Sequence, residues 1–309
     1  MEESGAMTPR LPSVRFLAAL AALAFISGAC GSTGTSSSRG SLAVASVKTA
    51  KSVLVAQLYG QALAHDGYTV SYQLQLGTRD VVAPAIESGQ VDIYPGYTST
   101  DLEYYNHSAG EASPDVASNE AKLNSRLQPL GLVALTPSPA VDQYAFAVTK
   151  ATQAKYNLTK MSDLASIARQ LTLGTGPDCT TAVFCIPGLK KTYGITFKAF
   201  QPLDTDGPLT RAAFKAGAID VGVVLSSDGD LSSLGLVVLP DDKHLENADN
   251  VVPIVRQAAA NDEVTHVLNA IDAKLTTADL ATMNSQVAIQ LQDAAAVAAA
   301  WLQQHNYLS

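Results

Sequence analysis

The chain has 309 residues, 47% of them hydrophobic and 16% charged, and a formal net charge of −8. That balance suits a soluble globular protein of one large domain or two smaller ones, with a sizeable core. The acidic excess argues against a general nucleic-acid binder, which needs a basic face to meet phosphate, and leaves small ligands open.

At the N-terminus, Arg10 and Arg15 precede the apolar run "FLAALAALAFISGA", which ends at Cys30. The run is shorter than the ~20 residues of a bilayer span and has the length of a signal-peptide core. "SGAC" resembles a bacterial lipobox, in which the cysteine is lipidated and becomes the mature N-terminus; Ser27 stands where leucine is usual. An ordinary secretory signal with an incidental cysteine is the alternative. Residues 1–30 are thus expected to be a lipoprotein signal peptide, with translation starting at Met1 or Met7. The Gly/Ser-rich residues 31–40 would be a flexible tether. Export leaves Cys179 and Cys185 as the mature cysteines. An even pair in an exported protein reads as a disulfide, here closing "CTTAVFC"; two free thiols are the alternative.

Further along, "SLAVASV" (41–47) reads as a first strand. "KSVLVAQLYGQALAHDG" follows with Leu54, Leu58 and Ala62 on one helical face and Gly67 at its end. "YTVSYQLQL" alternates as a strand does. Strand, helix and strand at this spacing predict an α/β unit with a parallel sheet. Two segments then share one pattern. "AIESGQVDIY" (85–94) and "AFKAGAIDVG" (213–222) each run from a helix end through Gly89 or Gly217 to an aspartate and a strand. The repetition predicts two similar α/β lobes. "TPSPAVDQYAFAV" (136–148) and "LVVLPDDKHLENADNVVPIV" (236–255) are β-like runs broken by proline and polar residues, suited to leaving one lobe and returning. Lobe 1 would be 41–139 and 250–309, and lobe 2 140–249. Such a cleft closes on a ligand by hinge motion. The tail is helical: Val264, Val267, Leu268, Ile271 and Leu275 share a face, and "AVAAAWLQQH" is rich in helix formers.

No nucleophile elbow, Walker, dinucleotide or zinc-protease motif occurs, and the five histidines lack metal-ligand spacing. Neither a metal, a cofactor nor catalysis is expected. "VDIYPGYTSTDLEYY" (91–105) instead concentrates Tyr94, Tyr97, Tyr104 and Tyr105. A quaternary ammonium has no N–H, so aromatic faces and a nearby carboxylate are what hold it. Tyr104 and Tyr105 read as surface cover. Tyr94 and Tyr97 follow a strand, where ligands gather in open α/β sheets.

These stretches occur in an order that resembles the substrate-binding proteins of glycine betaine/choline/carnitine-type osmoprotectant ABC importers. "AIESGQVDIYPGYTST", "LTPSPAVDQYAFAV", "CTTAVFCIPGLKKTYGI", "DTDGPLTRAAFKAGAIDVGVVLSSD" and "KLTTADLATMNSQV" carry the likeness. It implies a two-lobed, type II periplasmic-binding-protein fold with two crossover strands and a central ligand cleft. It also implies an extracytoplasmic receptor, held to the membrane through Cys30, serving an ABC permease with cytoplasmic ATPase subunits. Carried over by position, Tyr97, Thr100, Asp142, Tyr144, Tyr94, Lys48 and Thr78 would form the ligand site. Three departures stand out: Ala182 where an arginine often binds a ligand carboxylate, Thr210, Arg211 and Leu225 where lobe 2 aromatics are frequent, and Gly96 for a glutamate. Choline fits what is kept better than a betaine. A polyol, sugar or aromatic ligand is the alternative, and an enzyme such as a hydrolase on the same scaffold a remoter one.

Overall fold

The computed structural model describes residues 39–308. The signal peptide, Cys30 and most of the expected tether lie outside the described residues. In the first lobe, β1 (Ser41–Val47) leads to α1 (Ala50–His65), whose N-cap Thr49 accepts from the Ser52 N–H. β2 (Thr69–Gly77), α2 (Arg79–Glu87), β3 (Ile93–Tyr97), α3 (Thr98–Tyr105), α4 (Val116–Leu127) and β4 (Leu132–Ala134) follow. The second lobe runs β5 (Tyr144–Thr149), α5 (Lys150–Tyr156), β6 (Thr172–Thr175), single-turn α6 (Ile186–Gly188), β7 (Ala199–Pro202), α7 (Pro208–Ala216), β8 (Val221–Leu225) and β9 (Leu236–Val238). The chain then returns through β10 (Val251–Arg256) to α8 (Asp262–Asp272), α9 (Thr277–Ala288) and α10 (Ala294–Gln304).

The two sheets are built alike. Their strand orders are β2-β1-β3-β10-β4 and β7-β6-β8-β5-β9. In each, three strands are parallel, β1, β2 and β3 in the first sheet and β6, β7 and β8 in the second, and the strand arriving from the other lobe, β10 or β5, pairs antiparallel with its two neighbours. The repeated sequence pattern has a matching physical role in both. Gly89 and Gly217 take positive φ, 78° and 66°, just past α2 and α7, where a Cβ would be strained. Asp92 then accepts the Ala43 N–H of β1, and Asp220 the Thr172 N–H of β6, each at 2.8 Å. The aspartate thus pins the strand it precedes to its parallel neighbour, β3 to β1 and β8 to β6.

Side-chain alternation sends each sheet's residues to two cores. In β1, Leu42 and Val44 face α1, α8 and α10, while Ala45 faces Val82, Ile86, Leu102 and Leu123 on the opposite side. In β5, Phe146 and Val148 join one cluster, and Ala145 and Ala147 the other. Helix α1 is buried well beyond the face that its periodicity marks, with Val55, Tyr59 and Leu63 enclosed as fully as Leu54 and Leu58. The reason is tertiary: β1 and β2 lie on one side, and α8, α9 and α10 cover the other. Among the described residues, no helix is long and apolar enough to cross a membrane.

The runs read as crossing strands are mostly irregular between the sheets. Pro137 and Pro139 supply no N–H for a ladder, and β5 begins only at Tyr144. The returning segment is likewise open between β9 and β10. The two crossings nonetheless lie side by side: Val141 bridges Asn250, and the Asp142 N–H donates to the Asp249 carbonyl at 3.1 Å. A pair of adjacent short connections is the geometry of a hinge.

Candidate ligand-binding cleft

The tyrosine-rich stretch is organised around one buried carboxylate. Asp101, with no exposure, sits in the first turn of α3. It accepts from Arg79 Nε at 2.6 Å, from the Tyr94 hydroxyl at 2.8 Å and from the Tyr97 N–H at 2.6 Å. Gly96 lies against it: a Cβ there would stand 2.7 Å from both Asp101 Oδ2 and Ile254 Cγ1. This packing leaves no room for the glutamate of the family pattern.

A second carboxylate joins α3 to the returning crossing. Asp249 accepts from the N–H groups of Ser99 and Thr100, each at 2.9 Å, and from the Thr100 hydroxyl. It thereby satisfies the orphan donors at the start of α3. Burial pushes its carboxyl up to about 6, against the pull of those hydrogen bonds. In the other crossing, Asp142 accepts from Lys51 Nζ at 2.7 Å and from the Ser227 hydroxyl at 2.5 Å. Lys51 belongs to α1 and Ser227 follows β8, so this contact ties both lobes to the hinge.

Between the lobes lies a cavity of about 540 Å³, the right size for a small molecule. Ser99, Thr100 and Glu103 line it from α3, Asp142 and Asp249 from the crossings, and Tyr144, Phe184, Leu225 and Glu246 from the lobe 2 side. Tyr144 and Phe184 stack with centroids 5.1 Å apart and planes at 13°. Tyr144 remains 39% exposed, so a ring surface is free for a ligand. Among the described residues, four carboxylic acids line this space, and no lysine, arginine or histidine does.

Of the expected site residues, Thr100, Asp142 and Tyr144 come together here. Tyr94 does not: it is fully buried in the lobe 1 core, because its hydroxyl is the partner of Asp101. Burial, and then the Asp101 charge, push that phenol well above its ordinary range. Tyr97 is only 9% exposed and packs with the cluster around α1, behind the cavity wall rather than on it. Burial, followed by Asp142 and Asp249, pushes its phenol up. Lys48 and Thr78 are exposed at the ends of β1 and β2, away from the cavity lining. Lys51, in the first turn of α1, pairs with the lining residue Asp142 without itself lining the cavity.

The lobe 2 positions also differ from expectation. Thr210 is buried against Asp204, and Arg211 is surrounded by Asp206, Asp228 and Asp230, so neither reaches the cavity; Leu225 does. The aromatic ring that joins Tyr144 on this side is Phe184, one residue before Cys185. An aromatic inside the cysteine-closed loop was the available signal for it. Glu246 and Asp249 gave no signal beyond acidity within a polar segment.

Cys179 and Cys185 are bonded, with Cα atoms 5.0 Å apart, and both are buried in the lobe 2 core. The loop they close carries Val183 and Phe184 to the cavity. Replacing both with serine should lower stability by about 2–3 kcal/mol, the chain-entropy value for so short a loop. Denaturant unfolding of the oxidised protein and the double variant measures it; equal midpoints would show that the core holds the loop unaided.

Two sheets of matched order, joined by paired crossings over a ligand-sized cavity, define a two-lobed solute-binding protein of the type II periplasmic kind. Residues 40–304 match the family model described as the substrate binding domain of ABC-type glycine betaine transport system, and the chain belongs to that family. It is 27% identical over 277 residues to the glycine betaine-binding protein YehZ of Escherichia coli (strain K12), covering 85% of this chain and 90% of that protein. It is also 27% identical over 285 residues to the carnitine transport binding protein OpuCC of Listeria monocytogenes, covering 86% and 87%. Among solved structures, a glycine betaine/carnitine/choline ABC transporter protein superposes with a TM-score of 0.77 at 23% identity, over 87% of this chain and all of that one. Apo YehZ from Escherichia coli gives 0.76 at 25% identity, over 86% and 99%. The family is one of transport receptors, not an enzyme class, and substrate-binding proteins of ABC importers work outside the cytoplasm.

Proposed function

We propose that this protein is the receptor of an ABC importer for a quaternary ammonium compound of the choline type. Its lobes, 41–139 with 250–309 and 140–249, close over the ligand and present it to a permease with cytoplasmic ATPase subunits. Cys30 carries the lipid that keeps the receptor at the membrane. The observation behind the ligand class is the cavity lining: four carboxylic acids and two stacked rings, with no basic side chain among the described residues. Aromatic faces and carboxylates suit an onium head. A betaine or carnitine also brings a carboxylate, and nothing in this lining offers it a charge-assisted hydrogen bond. The similar proteins from Escherichia coli and Listeria monocytogenes carry names for those zwitterions, whereas the name of one similar solved structure includes choline as well.

Thermal shift and calorimetry with choline, glycine betaine, carnitine, sorbitol and glucose test the reading. Choline is expected to bind most tightly and, at a hundredfold excess over its Kd, to stabilise the protein by about 2.7 kcal/mol. Binding of a sugar or polyol, with none of the ammonium compounds, would replace this reading with a polar-ligand receptor.

A further inference from the structure

Three of the four acids around the cavity are already engaged. Asp142 pairs with Lys51, Asp249 caps α3, and Glu103 accepts the N–H groups of Gly110 and Ala112 at 2.8 and 2.6 Å. Glu246 differs. It is only 7% exposed and lines the cavity, yet its Oε1 has no hydrogen-bond partner. Its backbone is held in place, with the N–H donating to Asp241 Oδ2 at 2.8 Å, while Asp241 also accepts from the Tyr193 hydroxyl. Buried polar atoms without partners are rare and costly, and one at a ligand cavity points to a partner that arrives with the ligand.

Resting on the reading of the cleft as a cation site, we propose that Glu246 is the specificity-determining residue that reads the ligand's positive charge, its incompletely partnered carboxyl group standing in the wall of the cavity where the onium head packs on Tyr144 and Phe184. Burial, and then the nearby Asp241 charge, push the Glu246 carboxyl up to about 8, so the empty cleft holds it mostly protonated at neutral pH. A bound cation favours the carboxylate. Binding therefore expels one proton: Glu–COOH and L⁺ give Glu–COO⁻·L⁺, and the proton passes to the buffer. The sign follows from linkage. Affinity rises with pH below about 8, approaching tenfold per unit, and levels off above it.

The other ionisable groups around Glu246 do not reproduce this response. Asp249, at about 6, is already ionised near pH 7.5. Lys51 is held by Asp142, and Lys243 by the Thr192 carbonyl. Tyr144 has its phenol raised by burial and then by surrounding carboxylates, Glu246 among them, and stays protonated. Asp241 is committed to the Tyr193 hydroxyl and the Glu246 N–H.

Calorimetry of the wild-type chain with choline at pH 7.5, in two buffers of different ionisation enthalpy, counts the protons. More than half a proton released per choline bound is expected, roughly what a group titrating near 8 must give up. Glu246→Gln should bind choline at least about tenfold more weakly, with a flat pH profile, and should bind the uncharged isostere 3,3-dimethylbutan-1-ol as the wild type does. A wild-type protein that binds choline without proton release would overturn the assignment. So would Glu246→Gln retaining full choline affinity. If Glu246→Gln fails to fold, the wild-type proton count decides. Failure of the wild type to bind any quaternary ammonium compound is a separate result: it removes the cation reading, and the role of Glu246 with it.

Discussion

Asp101→Ala is expected to lower the unfolding free energy by about 3–5 kcal/mol, the range for stranding one partner of a buried ion pair. Asp101 has no solvent exposure, and its partner Arg79 is 19% exposed at the side chain. Removing the carboxylate leaves that guanidinium, the Tyr94 hydroxyl and the Tyr97 N–H without their acceptor. The first cannot move freely to water, and the other two are enclosed in the lobe 1 core. Adding Arg79→Ala should recover part of the loss, because the stranded charge disappears with it; the double-mutant cycle isolates the pair. Urea unfolding of the ligand-free proteins at one pH measures all three. A loss below ~1 kcal/mol for Asp101→Ala would mean that water replaces the carboxylate, and that the network does not hold α3 as described. The same substitution should also loosen Ser99 and Thr100, since α3 carries them to the cavity.

Tyr144→Ala and Phe184→Ala should each weaken binding of the preferred ammonium ligand by about tenfold, consistent with ~0.5–2 kcal/mol per ring face and more when desolvated. Each change removes a ring and also the stack that orients its neighbour, a contact of ~0.5–1.5 kcal/mol. The two losses should therefore be less than additive when combined. Tyr144→Phe keeps the π-face and should cost distinctly less than Tyr144→Ala. Titration calorimetry on the four variants and the wild type reads these ratios. Wild-type affinity in both alanine variants would place the ligand elsewhere. A Tyr144→Phe loss equal to that of Tyr144→Ala would show that the hydroxyl, not the face, makes the contact. Tyr97→Ala serves as a contrast: with its ring in the lobe 1 core, its principal cost should fall on stability.

Much of the architecture is legible in the chain because local rules and tertiary demands agree there. Strand alternation in 41–47, the buried stripe Val264, Leu268, Ile271 and Leu275, and the doubled glycine–aspartate junction each show as a pattern within a few residues of sequence. The order of the motifs along the chain likewise carries the family. What the linear pattern cannot carry is which way a side chain faces once the two sheets meet. Tyr94 and Tyr97 lie in a stretch that reads as recognition surface, yet Asp101 and Arg79, brought in from α3 and α2, turn one phenol wholly inward, and the α1 core absorbs the other. Lys48 and Lys51 are indistinguishable in composition; only the packing of α1 beside the crossing brings the second to Asp142. Phe184 becomes a cleft residue because a disulfide 179 residues into the chain closes a loop opposite β5. Glu246 is one acid among several in a polar segment, and its significance exists only as an unpaired oxygen at a cavity wall. The sequence by itself determined the fold class, the order of elements and the family, because those rest on periodicity, turn chemistry and motif order. The membership and charge of the binding cavity were decided by tertiary structure alone, because they depend on long-range partners that consume some polar groups and leave others free.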